Sequence, residues 1–469
     1  MPRLMRCRYC GTLQDEPAGA KLCVQCGGEL VWETPGPAPG GKGSYVRAHL
    51  VLDQIAAPAG QPVERHVIVT VETPGEVPPA QQAKTHSGRD PLHFCAVLDI
   101  SGSMSGGKID AAKRAVDDAV HRLQDGDVFS LVTFATDVRC PLSAKRVDAG
   151  LRRIIRSSLG EIRAGGQTAL CGGLELGLQQ VLDARQGTNL ALLLSDGQAN
   201  VGETDVEAIG RRAMEARGKG ITVSSLGVGR DYNEALMAEI AIDGGGRFYH
   251  LADAGQIAAY LTGELGEMAS LAARGAVVSL DLPGGATLGG LSDVYPVRGN
   301  QVTLGDIPTG TTLEVVLRVL IPPQEAGARL PISGTLSYRS PAGNALSTVL
   351  NEVTVRCDLD AGFAVTDGVV KPIARRVLDH MQAACVLATS RAATRGAAHG
   401  AREVQAAEAS LRKYVAVLGD DPAREGILAA GVEALGFVSG RVRAPGDKAK
   451  AATYAALRRI RGSKDFDKT

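Results

Sequence analysis

Short apolar runs that alternate with helical patterns constrain the middle of this 469-residue chain most strongly. Four such runs, at residues 93–98, 128–134, 189–194 and 221–228, have the length of buried strands. Between the first two, apolar residues recur at helical spacing: Ile109, Ala112, Val116, Ala119, Val120 and Leu123. Strands that alternate with helices predict an α/β fold, a doubly wound Rossmann-like parallel sheet at residues 91–272.

Strand patterns occur on both sides of this α/β unit. Residues 44–90 contain two period-two stretches, around Leu50 and around Val67, and residues 275–358 return to the same alternation. We therefore predict that residues 44–90 and 275–358 form one discontinuous β-sandwich into which the α/β domain is inserted.

The last hundred residues divide into two parts. Residues 360–440 show helical spacing that predicts about three helices. Residues 441–469 contain nine Lys or Arg against three Asp. This excess predicts a solvated basic tail, with a phosphate-binding arm as the alternative.

Four cysteines are clustered near the start of the chain, where Cys7, Cys10, Cys23 and Cys26 have the spacing C-x2-C-x12-C-x2-C. Two such pairs can wrap one tetrahedral Zn²⁺, so residues 1–32 are predicted to be a structural zinc ribbon. Disulfides or a redox pair fit this context poorly. The Pro- and Gly-rich residues 33–43 are predicted to be a linker, and the five scattered cysteines to be small buried residues.

The segment after the first apolar run allows two kinds of site. Gly102 to Lys108 has the G-x-x-x-x-G-K pattern of a phosphate-binding loop, but Ile109 stands where that loop needs Ser or Thr for magnesium. Lys108 is then an ordinary residue of the first helical turn. A phosphatase that uses Asp99 as nucleophile would need an acid where Ser101 stands.

A metal loop fits the same segment better, because Asp99, Ser101 and Ser103 form D-x-S-x-S. Magnesium takes six oxygens, so neighbouring loops must supply more. Thr168 lies in a Gly-rich loop before a helical pattern, and Asp196 follows the apolar run at 189–194. The carboxyl ends of such strands meet at one edge of the sheet, so these oxygens are predicted to converge there.

With these five residues, segment 91–270 resembles a von Willebrand factor A domain with a complete metal-ion-dependent adhesion site. The wider chain is similar to the bacterial proteins of the YfbK or calcium-activated chloride channel-like type, a label that carries no warrant for channel activity. The resemblance implies that Ser101, Ser103 and Thr168 bind Mg²⁺ directly or nearly so, and that one or both of Asp99 and Asp196 act through water. It also implies that a partner carboxylate completes the coordination. The sequence leaves Mn²⁺ and Ca²⁺ open as occupants.

The resulting hypothesis is a non-enzymatic, Mg²⁺-dependent scaffold or adaptor that binds an Asp or Glu of a partner protein. A MoxR-type AAA+ ATPase and a kinase or phosphatase signalling cluster are the partner systems that the resemblance suggests. Two alternatives remain open: a nucleic-acid-associated factor that uses the zinc ribbon and basic tail, and a metal-dependent phosphatase or NTPase. The balance of 51 basic and 51 acidic residues argues against the former. Without a signal segment or a long apolar run, a cytoplasmic protein is expected.

Overall fold

The α/β unit is built on a six-stranded sheet. The computed structural model describes residues 4–7, 13–15, 30–32, 44–83, 89–358, 371–394, 397–419, 421–422, 424–439 and 447–462. The strands of this sheet, in chain order, are β7 (Leu92–Asp99), β8 (Val128–Phe134), β9 (Val138–Arg146), β10 (Thr188–Ser195), β11 (Thr222–Val228) and β12 (Gly245–Leu251). Their order across the sheet is β12-β11-β10-β7-β8-β9, and all pairs are parallel except β8 with β9. The predicted mixed α/β fold is confirmed.

Helices cover both faces of this sheet: α1 (Gly107–Arg122), α2 (Ala149–Glu161), α3 (Leu170–Asp183), α4 (Val206–Gly218), α5 (Glu234–Asp243) and α6 (Ile257–Ala269). Alternate residues of β7 point to opposite cores, with Phe94 on the side of α1, α2 and α6 and Val97 on the side of α3, α4 and α5. All eight residues of β7 are buried, as expected for a central parallel strand. The apolar face predicted for α1 is buried throughout.

Strands from both flanks of the α/β unit pair with each other. The flanking strands are β4 (Arg47–Leu52), β5 (Ala56–Pro58), β6 (Val63–Glu72), β13 (Leu271–Asp281), β14 (Thr287–Gly290), β15 (Val297–Arg298), β16 (Gln301–Pro308), β17 (Thr312–Ile321), β18 (Arg329–Arg339) and β19 (Ala345–Asp358). One sheet has the order β14-β17-β6-β4 and the other β15-β16-β13-β18-β19-β5. Both contribute side chains to one continuous core.

A separate three-stranded sheet lies near the start of the chain. Its strands are β1 (Leu4–Cys7), β2 (Leu13–Asp15) and β3 (Leu30–Trp32), in the antiparallel order β2-β1-β3. Of the predicted zinc ligands, Cys7 ends β1, whereas Cys10, Cys23 and Cys26 lie outside the described residues.

In the described residues after the sheets, the α-helices are α7 (Lys371–Thr394), α8 (Ala397–Val415), α9 (Arg424–Val438) and α10 (Asp447–Arg461). Helix α7 packs against α8, α9 and α10. Within the part of the chain that the structure describes, no helix is both long enough and apolar enough to cross a membrane.

Helix α10 corrects the prediction of a solvated basic tail. Its apolar residues Ala456, Leu457 and Ile460 are buried against the rest of the protein, and its buried Lys450 and half-buried Arg461 bind groups of the α/β unit. Lys450 donates to the carbonyl oxygen of Tyr232 and lies 3.0 Å from Glu234 Oε2. Arg461 donates to the carbonyl oxygen of Gly245 at 3.0 Å. The net charge of the segment could not predict this packing. The signal lies in the apolar residues of α10, which recur at helical spacing between the cations.

Helix α4 begins after its N-cap Asp205, whose carboxylate accepts from the backbone N–H of Ala208 at 2.8 Å. This hydrogen bond satisfies one of the N–H groups that the first turn of a helix leaves without a partner.

Lys450 is expected to stabilise the packing of α10 on the α/β unit. Lys450→Met keeps the apolar stem but leaves the carbonyl of Tyr232 without this donor, which costs about 1–3 kcal/mol of unfolding free energy. Urea unfolding followed by circular dichroism measures this loss. Lys448→Met, at an exposed position of the same helix, is the matched control. Equal stability of the two variants would contradict this role of Lys450.

Candidate metal site

The two central strands bring the predicted site together. Strands β7 and β10 are parallel neighbours with Leu98 opposite Leu194, so Asp99 and Asp196 leave the same edge of the sheet side by side. From β7 the chain continues to β8 on one side, and from β10 it continues to β11 on the other. This is the reversal point of a doubly wound sheet, where a crevice opens for a ligand.

Asp99 is a fully buried carboxylate fixed from two sides. Its Oδ1 accepts from the backbone N–H of Ser101 at 2.8 Å, and its Oδ2 accepts from the Ser195 hydroxyl at 2.5 Å. Burial raises the pKa of Asp99, the hydrogen bonds from Ser195 and Ser101 oppose the rise, and the nearby carboxylate of Asp196 adds to it. Two neighbouring carboxylates in a buried setting favour a cation between them.

Ser103 joins the two strand ends. Its hydroxyl donates to Asp196 Oδ1 at 2.7 Å and lies 3.0 Å from the hydroxyl of Ser101. Ser103 is exposed, whereas Asp99, Ser101 and Asp196 are at most 2% exposed. The cluster is therefore closed towards the sheet and open to solvent at Ser103.

Thr168 completes the cluster beside Gly197. A Cβ placed on Gly197 would lie 3.2 Å from Thr168 Oγ1, 3.4 Å from Ser103 Oγ and 3.5 Å from Asp99 Oδ2. Oxygens from the loop of Asp99 and Ser103 and from the loop of Thr168 thus lie near one point on a third loop, which carries Asp196 and Gly197. The Thr168 loop is held there by Asn200, whose side-chain oxygen accepts from the Thr168 N–H at 2.7 Å.

The structure brings all five predicted residues together and adds three that the sequence analysis did not select. Ser195 donates to Asp99, and Asn200 accepts from the N–H of Thr168. Both residues lie in the sequence "SDGQAN", which also contains Asp196. The third, Lys108, corrects the expectation that it is an ordinary helix residue. Its ammonium contacts Asp196 Oδ2 and lies 3.3 Å from the Ser103 carbonyl oxygen, because the first turn of α1 passes over the site.

The donor set suits a hard divalent cation. Three hydroxyls and two carboxylates are oxygen ligands of the kind that Mg²⁺, Mn²⁺ and Ca²⁺ prefer. The described residues include no group of three or more His, Cys, Asp or Glu placed to hold a metal.

Residues 95–262 match the family model of the von Willebrand factor type A domain, so this segment is such a domain. Among bacterial relatives, YfbK from Escherichia coli (strain K12) is 31% identical over 176 residues, which are 37% of this chain and 30% of YfbK. The protein sll0103 from Synechocystis sp. is 29% identical over 174 residues, 37% of this chain and 40% of that protein. The chain thus covers less than half the length of these relatives.

The fold extends beyond this domain in a solved structure. The von Willebrand factor type A protein from Catenulispora acidiphila aligns with 90% of this chain and 98% of its own, with a TM-score of 0.63 and 19% sequence identity. At this identity the likeness establishes a shared fold only.

Gly197→Ala is expected to weaken metal binding without unfolding the domain. The added methyl would crowd Thr168 Oγ1 and Ser103 Oγ, and Mg²⁺ affinity should fall roughly tenfold, a typical cost of disturbing the surroundings of metal ligands. Isothermal titration calorimetry with MgCl₂ measures the change. Gly165→Ala is the control, since a Cβ there meets no atom within 4 Å. Equal affinity in both variants would count against a cation at this point.

Lys108→Met is expected to strengthen metal binding. The ammonium that contacts Asp196 competes electrostatically with a second cation, so its removal should raise Mg²⁺ affinity by about three- to tenfold at low salt. Titration at several NaCl concentrations should show the gain shrinking as salt rises. Lys145→Met on β9 removes the same charge from the sheet edge and should change little. A lower affinity in Lys108→Met would refute the competition.

Proposed function

We propose that this protein is a non-enzymatic adaptor that binds a partner protein through a divalent metal site in its von Willebrand factor type A domain. Asp99, Ser101, Ser103, Thr168 and Asp196 would hold the cation, with Mg²⁺ as the preferred occupant. When bound, the cation supplies a positive centre that an Asp or Glu side chain of the partner can ligate. The observation that supports this proposal most strongly is that oxygens of Asp99, Ser103 and Thr168 lie near Gly197, while Asp196 Oδ1 accepts a hydrogen bond from Ser103 at 2.7 Å.

The five residues differ in exposure, which distinguishes those that would hold the cation from the one that faces solvent. Asp99, Ser101, Thr168 and Asp196 are buried, and hydrogen bonds from Ser195 and Asn200 keep their loops in place. Ser103 alone of the five is exposed, which leaves one approach for an outside carboxylate. Because hydroxyls are neutral, three of them with two carboxylates leave a divalent cation receptive to a further anion.

Zinc in a ribbon at residues 1–32 is a second part of this proposal. Cys7, Cys10, Cys23 and Cys26 would close a tetrahedral sphere with no position for a substrate, so the ribbon would serve folding and contact. Two cations of the basic segment, Lys450 and Arg461, donate to backbone carbonyl oxygens of the protein, so these two are less available to a nucleic acid than in a solvated tail.

Ser103→Ala tests the proposal against Ser105→Ala, since both serines are exposed in the same loop and only Ser103 contacts Asp196. The tagged protein is used as bait in cell extract, in Mg²⁺ and in EDTA, and captured proteins are identified by mass spectrometry. We expect a partner that is retained in Mg²⁺ by the wild type and by Ser105→Ala. Its capture should fall at least about tenfold in EDTA and in Ser103→Ala.

A second experiment changes the partner protein. Replacing its contacting Asp or Glu with Asn or Gln should reproduce the loss in binding measured with the purified pair. Capture that is indifferent to both EDTA and Ser103→Ala would overturn the proposal.

A further inference from the structure

A cleft lies between β6 and the helices α7 and α8, and the described residues that line it are not those of the candidate metal site. We refer to it as the helix–sheet cleft. It encloses about 600 Å³, and Glu64, Arg65 and His66 of β6 line one side. Volumes of this order, at the junction of two structural units, are typical of small-molecule sites.

Small side chains keep the helical side of the cleft open. Helix α7 contributes Ala384 and Ala388, and α8 contributes Ala406, Ala407 and Ser410. Met381 and Cys385 continue the same face of α7 at helical spacing. Larger apolar residues at these positions would fill the space, so the composition of the two helix faces maintains an apolar hollow.

The wall of the cleft is fixed by a buried polar cluster. The Tyr414 hydroxyl of α8 donates to Asp53 Oδ2 at 2.8 Å, and the same oxygen lies 2.9 Å from His66 Nδ1. The rings of His66 and Tyr414 meet edge to face with centroids 5.0 Å apart. Because this cluster ties α8 to β6, the hollow beside it is a built feature of the fold.

Charge at the cleft favours an anion. Burial lowers the pKa of His66, but hydrogen bonds with Asp53 and Glu64 outweigh it and raise the pKa to about 9, so the ring is cationic at neutral pH. The described residues that line the cleft include four cationic side chains and two carboxylates: Arg65, His66, Arg318, Lys413, Glu64 and Glu403. Asp53 lies behind His66 and adds a third carboxylate, so four positive charges against three negative ones leave an excess of one.

Arg318 and Lys413 are the cations that a ligand can reach. The Arg65 guanidinium instead donates to the backbone carbonyl oxygens of Ala56 and Glu64. Arg318 and Lys413 are exposed, and both act on the Glu64 carboxylate, whose pKa is lowered mainly by its hydrogen bond with His66 and further by these two charges. Neither makes an ion pair within 4 Å with a described residue, so each can still bind an outside anion.

We propose that the helix–sheet cleft binds a small amphipathic anion, with its apolar body against the alanine-rich faces of α7 and α8 and its acidic head between Arg318 and Lys413. This site is independent of the metal site, so binding should be the same in Mg²⁺ and in EDTA.

Calorimetric titration of the full chain with laurate tests the proposal. Laurate should bind, whereas acetate, which lacks the apolar body, and dodecyltrimethylammonium, which carries the opposite charge, should not bind measurably. Ala406→Phe fills the cleft from an exposed position and should weaken laurate binding at least about tenfold. Ala409→Phe adds the same ring at an exposed position of α8 outside the cleft and should bind as the wild type does.

The double variant Arg318→Gln with Lys413→Gln tests the head group. Loss of two charged donors should weaken laurate about tenfold or more, whereas Arg412→Gln, beside the cleft, should leave it unchanged. Equal binding of laurate and dodecyltrimethylammonium, or unchanged laurate affinity in Ala406→Phe, would overturn the proposal. Failure to bind laurate at millimolar concentration would do the same.

Discussion

Strands β7 and β10 lie side by side in parallel at the centre of the six-stranded sheet, with Leu98 opposite Leu194. Their register determines that two buried acidic residues leave the sheet together, and the chain reversal between the strands opens a crevice above them. The other oxygens depend on this arrangement. Ser195 at the end of β10 holds Asp99, and Asn200 in the next loop holds the Thr168 segment. A shift of one residue in the pairing of β7 with β10 would move Asp99 away from Ser195 and Asp196.

The loop between β11 and α5 connects this site to the end of the chain. On one side, Gly229 lies close to Lys108, whose Nζ would be 3.7 Å from a Cβ there. On the other, Lys450 of α10 binds the carbonyl of Tyr232 and the side chain of Glu234. The candidate metal site and helix α10 therefore contact the same loop, although more than 250 residues separate Asp196 from the end of α10.

Periodicity predicted the α/β sheet well because its central strands are buried on both faces and read as continuous apolar runs. The convergence of the five candidate residues was predictable because parallel strands place their carboxyl ends at one edge of the sheet, so that order along the chain determines position in space. Two features escaped. Lys108 contacts Asp196 through a turn of α1 whose path over the site depends on tertiary packing. Helix α10 was misjudged because net charge concealed an apolar face, which became visible only against the surfaces it covers.

The helix–sheet cleft also could not be predicted from the sequence. Its alanines look like ordinary helix formers in the sequence, and only the packing of α7 and α8 against β6 shows that they line a hollow. Tyr414 donates to Asp53, more than 300 positions earlier, and Asp53 in turn binds His66. No local sequence pattern could predict such a contact.

A cation beside Gly197 is the central feature of the proposed adaptor. Anomalous diffraction from crystals of the full chain grown with Mn²⁺ and without EDTA locates such a cation. We expect a peak bounded by oxygens of Asp99, Ser103, Thr168 and Asp196, which disappears in crystals of Asp99→Ala. Mn²⁺ bound elsewhere on the von Willebrand factor type A domain, with none at these oxygens, would contradict it.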